Sequence, residues 1–256
     1  MEEQKLTASD AAAGVVFGTS VSISGDMIVV GAGSTYVFRF DGTEWVEEQK
    51  LTASDAAGVD AFGLSVAVAG DVIVVGAFKD GVLGLEFGAA YVYRFDGADW
   101  LEERKLTASD IHSRDFFGFS VAVSGDVIVV GADGNDDDGP DSGSAYVFGF
   151  DGTDWVEEQK LTASDAAAGD GFGGSVSILG ETIVAGATGN SGAAYVFRFD
   201  GTDWVEEQKL TASDADSGDG FGRTVAISGE VIVVGAEDAR PRPVRVRTGA
   251  AYVFRE

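Results

Sequence analysis

"FGFSVAVSGDVIVVGADGNDDDGPDSGSAYVFGFDGTDWVEEQKLTASD", residues 117–165, reads as one structural unit. "SVAVSG" alternates apolar with small or polar residues, the period of a strand with two unlike faces. "DVIVVGA" is a short continuous apolar run, as in a strand buried on both sides. "AYVFGF" alternates again and carries large aromatics. "WVEEQKLTA" is polar and charged, the composition of an outer edge strand. "SGD" and "FDGT" between them are turn sequences. No stretch has helical period. The unit is predicted to be four antiparallel strands, more apolar at its inner than at its outer end.

The same unit recurs along the 256-residue chain. "EEQKLTASD" begins at residues 2, 47, 157 and 206, and "EERKLTASD" begins at 102. "FG" falls at Phe17, Phe62, Phe117, Phe172 and Phe221, and "GA" at Gly31, Gly76, Gly131, Gly186 and Gly235. "YVF" or "YVY" starts at Tyr36, Tyr91, Tyr146, Tyr195 and Tyr252. The Asp of "ASD" precedes the Phe by seven residues and the Phe precedes the "GA" glycine by fourteen in every repeat. Only the step from "GA" to Tyr varies, as 5, 15, 15, 9 and 17 residues. The increments are all even, which two strands lengthening together would give. The variable segment is predicted to be an extensible hairpin tip.

Four-stranded units of about 50 residues in series describe a β-propeller, whose radial closure removes long exposed edges. The expected fold is all-β: one five-bladed propeller domain over residues 1–256. Its blades fall near 11–54, 55–109, 110–164, 165–213 and 214–256 plus 1–10. The first repeat has "EEQKLTA" before its "FG", and the last stops after "AAYVFRE". The N-terminal strand is therefore expected to complete the last blade. Met1 stands where other repeats have Val or Leu, so the chain is expected to be an excised module of a longer protein.

These landmarks resemble the FG-GAP repeat, the blade unit of the integrin α-subunit propeller. The match is Phe-Gly, then "SVAVSGD", "VIVVGA" and "AYVF", five times over. The resemblance implies a propeller that is mostly extracellular and binds partners on one face. Two features depart from it. The family's "GAP" proline is missing: Gly31-Ala32 is followed by Gly33, Gly76-Ala77 by Phe78, and Gly131-Ala132 by Asp133. The family's calcium loop between first and second strands is also missing. Its place is taken by Ser24-Gly25-Asp26, Ala69-Gly70-Asp71, Ser124-Gly125-Asp126, Leu179-Gly180-Glu181 and Ser228-Gly229-Glu230. A turn this short cannot wrap a cation that takes 6–8 oxygens, so calcium binding does not carry over.

Composition narrows the classes further. Forty-three acids against 17 bases give a formal net charge of -26, which repels nucleic acid and anionic lipid and suits a halophilic source. Arginine outnumbers lysine, 11 to 6. With no cysteine there is neither a disulfide scaffold nor a thiolate metal site. No apolar run approaches the roughly 20 residues of a membrane helix, and no signal peptide is visible.

The candidate binding residues lie in the three long tips. Blade 2 offers Phe78, Val82, Leu83, Leu85 and Phe87, apolar residues that either meet a partner or fold back on the neighbouring blade. Blade 3 offers Asp133, Asn135, Asp137, Asp138 and Asp141. The first three fit positions 1, 3 and 5 of a D-x-[DN]-x-[DN]-G loop, but Asp138 occupies the glycine position. Weak or adventitious calcium at Asp133, Asn135 and Asp137 is the most this supports; no cofactor is expected. Blade 5 offers Arg240, Arg242, Arg245 and Arg247, with local acids as the competing partners. The recurring Asp10, Asp55, Asp110, Asp165 and Asp214 are expected to be structural, forming turns and capping backbone N–H groups. The only histidine, His112, is expected in an exposed loop.

The expected function is a non-catalytic binding or adhesion scaffold for a protein or glycan. The module is expected to be monomeric and extracellular or at the cell surface, without nucleic-acid binding or membrane insertion. A propeller glycoside hydrolase or lyase, which would need a unique acid pair at the central mouth, and a purely structural surface module are the alternatives.

Overall fold

A computed structural model describes residues 2–12, 16–55, 60–82, 85–189, 192–239 and 248–255. The chain is an all-β, five-bladed β-propeller, with no helix among the described residues. Blade 1 holds β1 (Ser20–Ser24), β2 (Met27–Gly31), β3 (Thr35–Phe40) and β4 (Trp45–Leu51). Blade 2 holds β5 (Ser65–Ala69), β6 (Val72–Ala77), β9 (Ala89–Phe95) and β10 (Trp100–Leu106), with the tip hairpin β7 (Gly81–Val82) and β8 (Leu85–Glu86) between β6 and β9. Blade 3 holds β11 (Ser120–Ser124), β12 (Val127–Ala132), β13 (Ser144–Phe150) and β14 (Trp155–Leu161). Blade 4 holds β15 (Ser175–Leu179), β16 (Thr182–Ala187), β17 (Ala193–Phe199) and β18 (Trp204–Leu210). Blade 5 holds β19 (Phe221–Ser228), β20 (Val231–Ala236) and β21 (Ala250–Arg255).

Each sheet is an antiparallel meander in sequence order. The first hairpin turns on a glycine with positive φ, 56° at Gly125, which a side chain would strain. The second strand is apolar on both faces because it lies between two neighbouring sheets; every residue of β6 is buried. The outer strand carries a bulge against the third, between Glu102 and Arg104 in blade 2, which blunts it as an edge. The bulged glutamate is tied down: Glu103 pairs with Arg94 at 2.8 Å and accepts from Trp155 Nε1 of the next blade at 2.9 Å.

The cores lie between blades. At the junction of blades 1 and 2, Val29, Val37 and Leu51 meet Phe62, Val66, Val68, Ile73 and Tyr91. First strands stand side by side around the axis, and serines stitch them: Ser20 Oγ accepts from Val66 N–H at 3.1 Å, and Ser65 Oγ from Val121 N–H at 3.0 Å.

The two glycine landmarks share one cause. The "FG" glycine of blades 2 to 5 presses its carbonyl onto the "GA" glycine of the blade before. A Cβ on Gly31 would lie 1.8 Å from Gly63 O, on Gly131 1.9 Å from Gly173 O, and on Gly186 2.0 Å from Gly222 O. The adjoining phenylalanine is the buried wedge: Phe117, Phe172 and Phe221 are fully buried against the Tyr and Phe of their own third strand.

Among the described residues the N-terminal segment does not pair with β21, and the fifth sheet has three strands, with β21 at its edge. Residues 2–9 stand against blade 1 instead. Gln4 exchanges hydrogen bonds with the Trp45 backbone, and Ser9 donates twice to Glu47. That is the relation which β4 has with blade 2, where Gln49 meets Trp100 and Ser54 meets Glu102. The N-terminal segment thus sits where the outer strand of a preceding blade belongs, without strand pairing.

Candidate binding face

The framework under the tips repeats from blade to blade. Tyr91 Oη donates to Asp55 at 2.7 Å, and Lys105 Nζ reaches the other oxygen at 2.7 Å. Tyr36–Asp10–Lys50, Tyr146–Asp110–Lys160 and Tyr195–Asp165–Lys209 do the same. Each lysine also stands over its tyrosine ring, 5.2 Å away in blades 2, 3 and 4. The hydrogen bonds from Lys105 and Tyr91 hold the Asp55 carboxyl below the usual range. These aspartates are structural, as expected. They accept from tyrosine and lysine side chains, where the sequence suggested backbone capping. The signal was present: lysine follows tyrosine by fourteen residues in four repeats, which register places directly opposite, as Tyr146 to Lys160.

The tips of blades 2 and 3 are bolted to this framework. In blade 2, Asp80 takes Lys105 at 2.9 Å through both oxygens and accepts from Tyr91 at 2.7 Å. In blade 3, Asp137 takes Lys160. The hairpin expected of the variable segment forms in blade 2 as β7 and β8. The blade-3 tip folds differently, as turns around the buried amide of Asn135. Asn135 Oδ1 accepts from Ser144 Oγ at 3.0 Å, and its backbone carbonyl accepts from Gly143 N–H at 2.9 Å. The three weak metal candidates therefore have different tasks. Asn135 is the hub of the turn and Asp137 an anchor to Lys160, while Asp133 stands apart. Asp138 and Asp141 are exposed.

Phe78 folds back. Its ring meets Phe119 at 5.3 Å and Phe116 at 5.8 Å, both edge-on, from the next blade. Phe87 is half-buried, and its carbonyl accepts from Phe117 N–H. Leu85 pairs with Val82 through the backbone of the tip hairpin. Leu83, Arg240, Arg242, Arg245 and Arg247 lie outside the described residues. His112 is exposed, as expected, and its backbone N–H donates to Asp115.

Where the first strands begin, the residue after "GA" of one blade meets the residue after "FG" of the next, and here the repeats differ most. Phe78 on Phe119 makes an apolar step, beside Leu64, which is 41% exposed. Asp133 stands over Gly174, and a Cβ on Gly174 would lie 3.8 Å from its carboxylate. Arg223 follows on blade 5, paired to Glu237 at 3.4 Å. One carboxylate oxygen of Asp133, Oδ1, is buried with no hydrogen-bond partner. Burial raises the Asp133 carboxyl to about 6, against the opposing charge of Arg223. Spacing could not reveal the contact of Phe78 with Phe119 or the place of Asp133 over Gly174, because each joins two repeats. The only sign was that the residue after "FG" changes at each repeat, as Thr19, Leu64, Phe119, Gly174 and Arg223.

This end of the propeller thus carries an apolar sector where blades 2 and 3 meet and charged residues on blades 3 and 5, with the unpartnered Oδ1 of Asp133 among them. It offers apolar contact and hydrogen-bond acceptance at fixed positions. A sequence profile described as FG-GAP repeat matches residues 1–38, 45–93, 100–148, 155–197 and 204–254. Among curated proteins, none matches the chain.

Proposed function

Because the chain belongs to the FG-GAP repeat family, we propose that it is a non-catalytic interaction module that binds a protein or glycan through the tip face. The observation that carries this is the division of labour between repeats. Hydrogen-bonded framework groups recur at equivalent positions, whereas the residues at the inner ends of the blades change from Phe78 and Phe119 to Asp133 and Arg223. A rigid scaffold with variable residues on one face is how binding surfaces are built. Asp133, with an acceptor held out of water and unpaired, supplies the polar selectivity, since a ligand donor placed there recovers the cost of that burial. The apolar step supplies contact area. The net charge of -26 steers cationic partners and rejects anionic ones.

The acids support a non-catalytic role. Asp10, Asp55, Asp110 and Asp165 are taken up by tyrosine and lysine, and Glu47, Glu102, Glu157 and Glu206 by the serines of the "ASD" loops. An extracellular or cell-surface setting, adhesion and adaptation to high salt complete the proposal. Binding of the purified chain to a glycan array and to extracellular-matrix proteins tests it. Phe119→Ala with Arg223→Ala should abolish any binding found, and Val156→Ala on an exposed outer strand should leave it intact. Binding that survives the double substitution refutes the assignment of this face.

A further inference from the structure

We infer that blade 5 and the N-terminal segment form a head-to-tail interface between two copies of this chain, with residues 2–8 of one copy adding as the fourth strand to β21 of the other.

The four internal junctions show what such an interface contains. The trailing face of one blade contributes valines of its second and third strands: Val29 and Val37, Val74 and Val92, Val129 and Val147, and Val184 and Val196, none more than 2% exposed. The leading face of the next contributes its first strand, as Val66 and Val68 at 6% and 7%. Both halves of a fifth junction are present but uncovered. On blade 5, Val253 is 66% exposed and Val231 and Val233 are half-buried. On blade 1, Val21 and Ile23 are 66% and 65% exposed. Four copies of the interface within one chain establish that these two faces are complementary.

Polar groups at the seam are split the same way. Four blades have a complete Tyr–Asp–Lys cluster. In blade 5, Tyr252 Oη donates to Asp214 at 2.8 Å, but no described lysine joins them. Lys5 is exposed and has no ion pair among the described residues. By the register that sets Tyr36 opposite Lys50 and Tyr195 opposite Lys209, Lys5 falls opposite Tyr252 once residues 2–8 pair with β21. The same placement brings Glu2 to Ser213, as Glu47 is brought to Ser9.

A second copy is favoured over closure within one chain. The junctions are set by backbone pressed on backbone, as at Gly31–Gly63 and Gly131–Gly173, so each blade-to-blade angle is stiff. With those angles in place, blades 1 and 5 do not pack. A second copy covers both faces with the four internal junctions left as they are. The contact is heterologous, and it continues from copy to copy unless the rotation closes it. It differs from the monomer expected from the sequence.

The test uses the absence of native cysteine. Gln4→Cys and Val253→Cys are placed opposite each other by the register of Val37 with Gln49, and are made in separate chains. Mixed and oxidised, the two chains should give the mixed disulfide in preference to either like pair, and the unmodified chain should sediment increasingly above its 26.4 kDa monomer mass as concentration rises. Val253→Lys, on an already exposed site, should lose the heavier species while keeping the circular dichroism of the parent. A chain carrying both cysteines that closes its own disulfide as a monomer overturns the inference. So does an unmodified chain that stays monomeric at every concentration without preferential mixed disulfide.

Discussion

Lys105 Nζ lies 2.9 Å from both carboxylate oxygens of Asp80, so a residue of the variable tip is clamped by a lysine of the invariant framework. The Asp80 side chain is only 16% exposed and Lys105 31%, so water screens the pair less than a surface ion pair. Asp80→Asn should lower stability by about 1 kcal/mol and speed amide hydrogen exchange around Phe87 and Gly88, whose N–H groups donate to the Asp80 carbonyl. Exchange unchanged there would mean that the backbone bonds alone hold the tip.

Gly131 tests the junctions. A methyl group there would meet Gly173 O at 1.9 Å and Ser120 Oγ at 2.4 Å, so blades 3 and 4 must part. Gly131→Ala should cost about 3 kcal/mol. Gly152, with φ of 94° and open space around it, gives the control: Gly152→Ala should cost about 1–2 kcal/mol from backbone strain alone. Urea melts of the two variants check the order.

Asp133 gives a pH signature. Its carboxyl rises to about 6 in the fold because burial disfavours the charge. Between the usual value of 3.8 and about 6 the folded chain holds a proton that the unfolded chain has released. Stability therefore falls as pH rises through that window and is flat above it. Asp133→Asn should remove this slope and gain roughly 1–2 kcal/mol at pH 7 after allowing for partial solvent access. The difference between parent and variant is the quantity to read. Asp10, Asp55 and Asp165, whose carboxyls are lowered by their lysine and tyrosine bonds, act oppositely: stability they contribute is lost as pH falls below their usual value.

Salt tests the meaning of the acids. A net charge of -26 repels itself most in the compact state. Potassium chloride should raise the melting temperature by about 5 °C between 0.1 and 2 M. A saturable shift with micromolar calcium, reversed by chelator, would instead assign Asp133, Asp138 and Asp141 to a cation.

The fold was legible because its causes are local and repeated. Alternation, apolar second strands and glycine turns each report one strand, and five copies average out the accidents of any one. The FG and GA landmarks stood out for the same reason, although only coordinates show that they press on each other. The seam is less legible, because strand count says that a blade lacks a strand but not the angle between blades, which decides whether the two ends meet. Asn135 is a turn hub, a role that composition alone cannot tell from that of a cation donor. The relation of Asp133 to Arg223 joins different repeats, and nothing in their spacing announces it.

The most direct measurement of the division between framework and face is to trim the tips of blades 2 and 3 to the "GAGSTYVF" length of blade 1. Each trim deletes ten residues, from a "GA" to Tyr step of 15 to one of 5, an even number that keeps every strand on its face. Melting temperature and ligand binding are then read on the same sample. The expected result is a cooperative melt with the circular dichroism of the parent and loss of the binding found on the array. A trimmed chain that still binds as the parent does, or that no longer folds, contradicts the separation of framework from face.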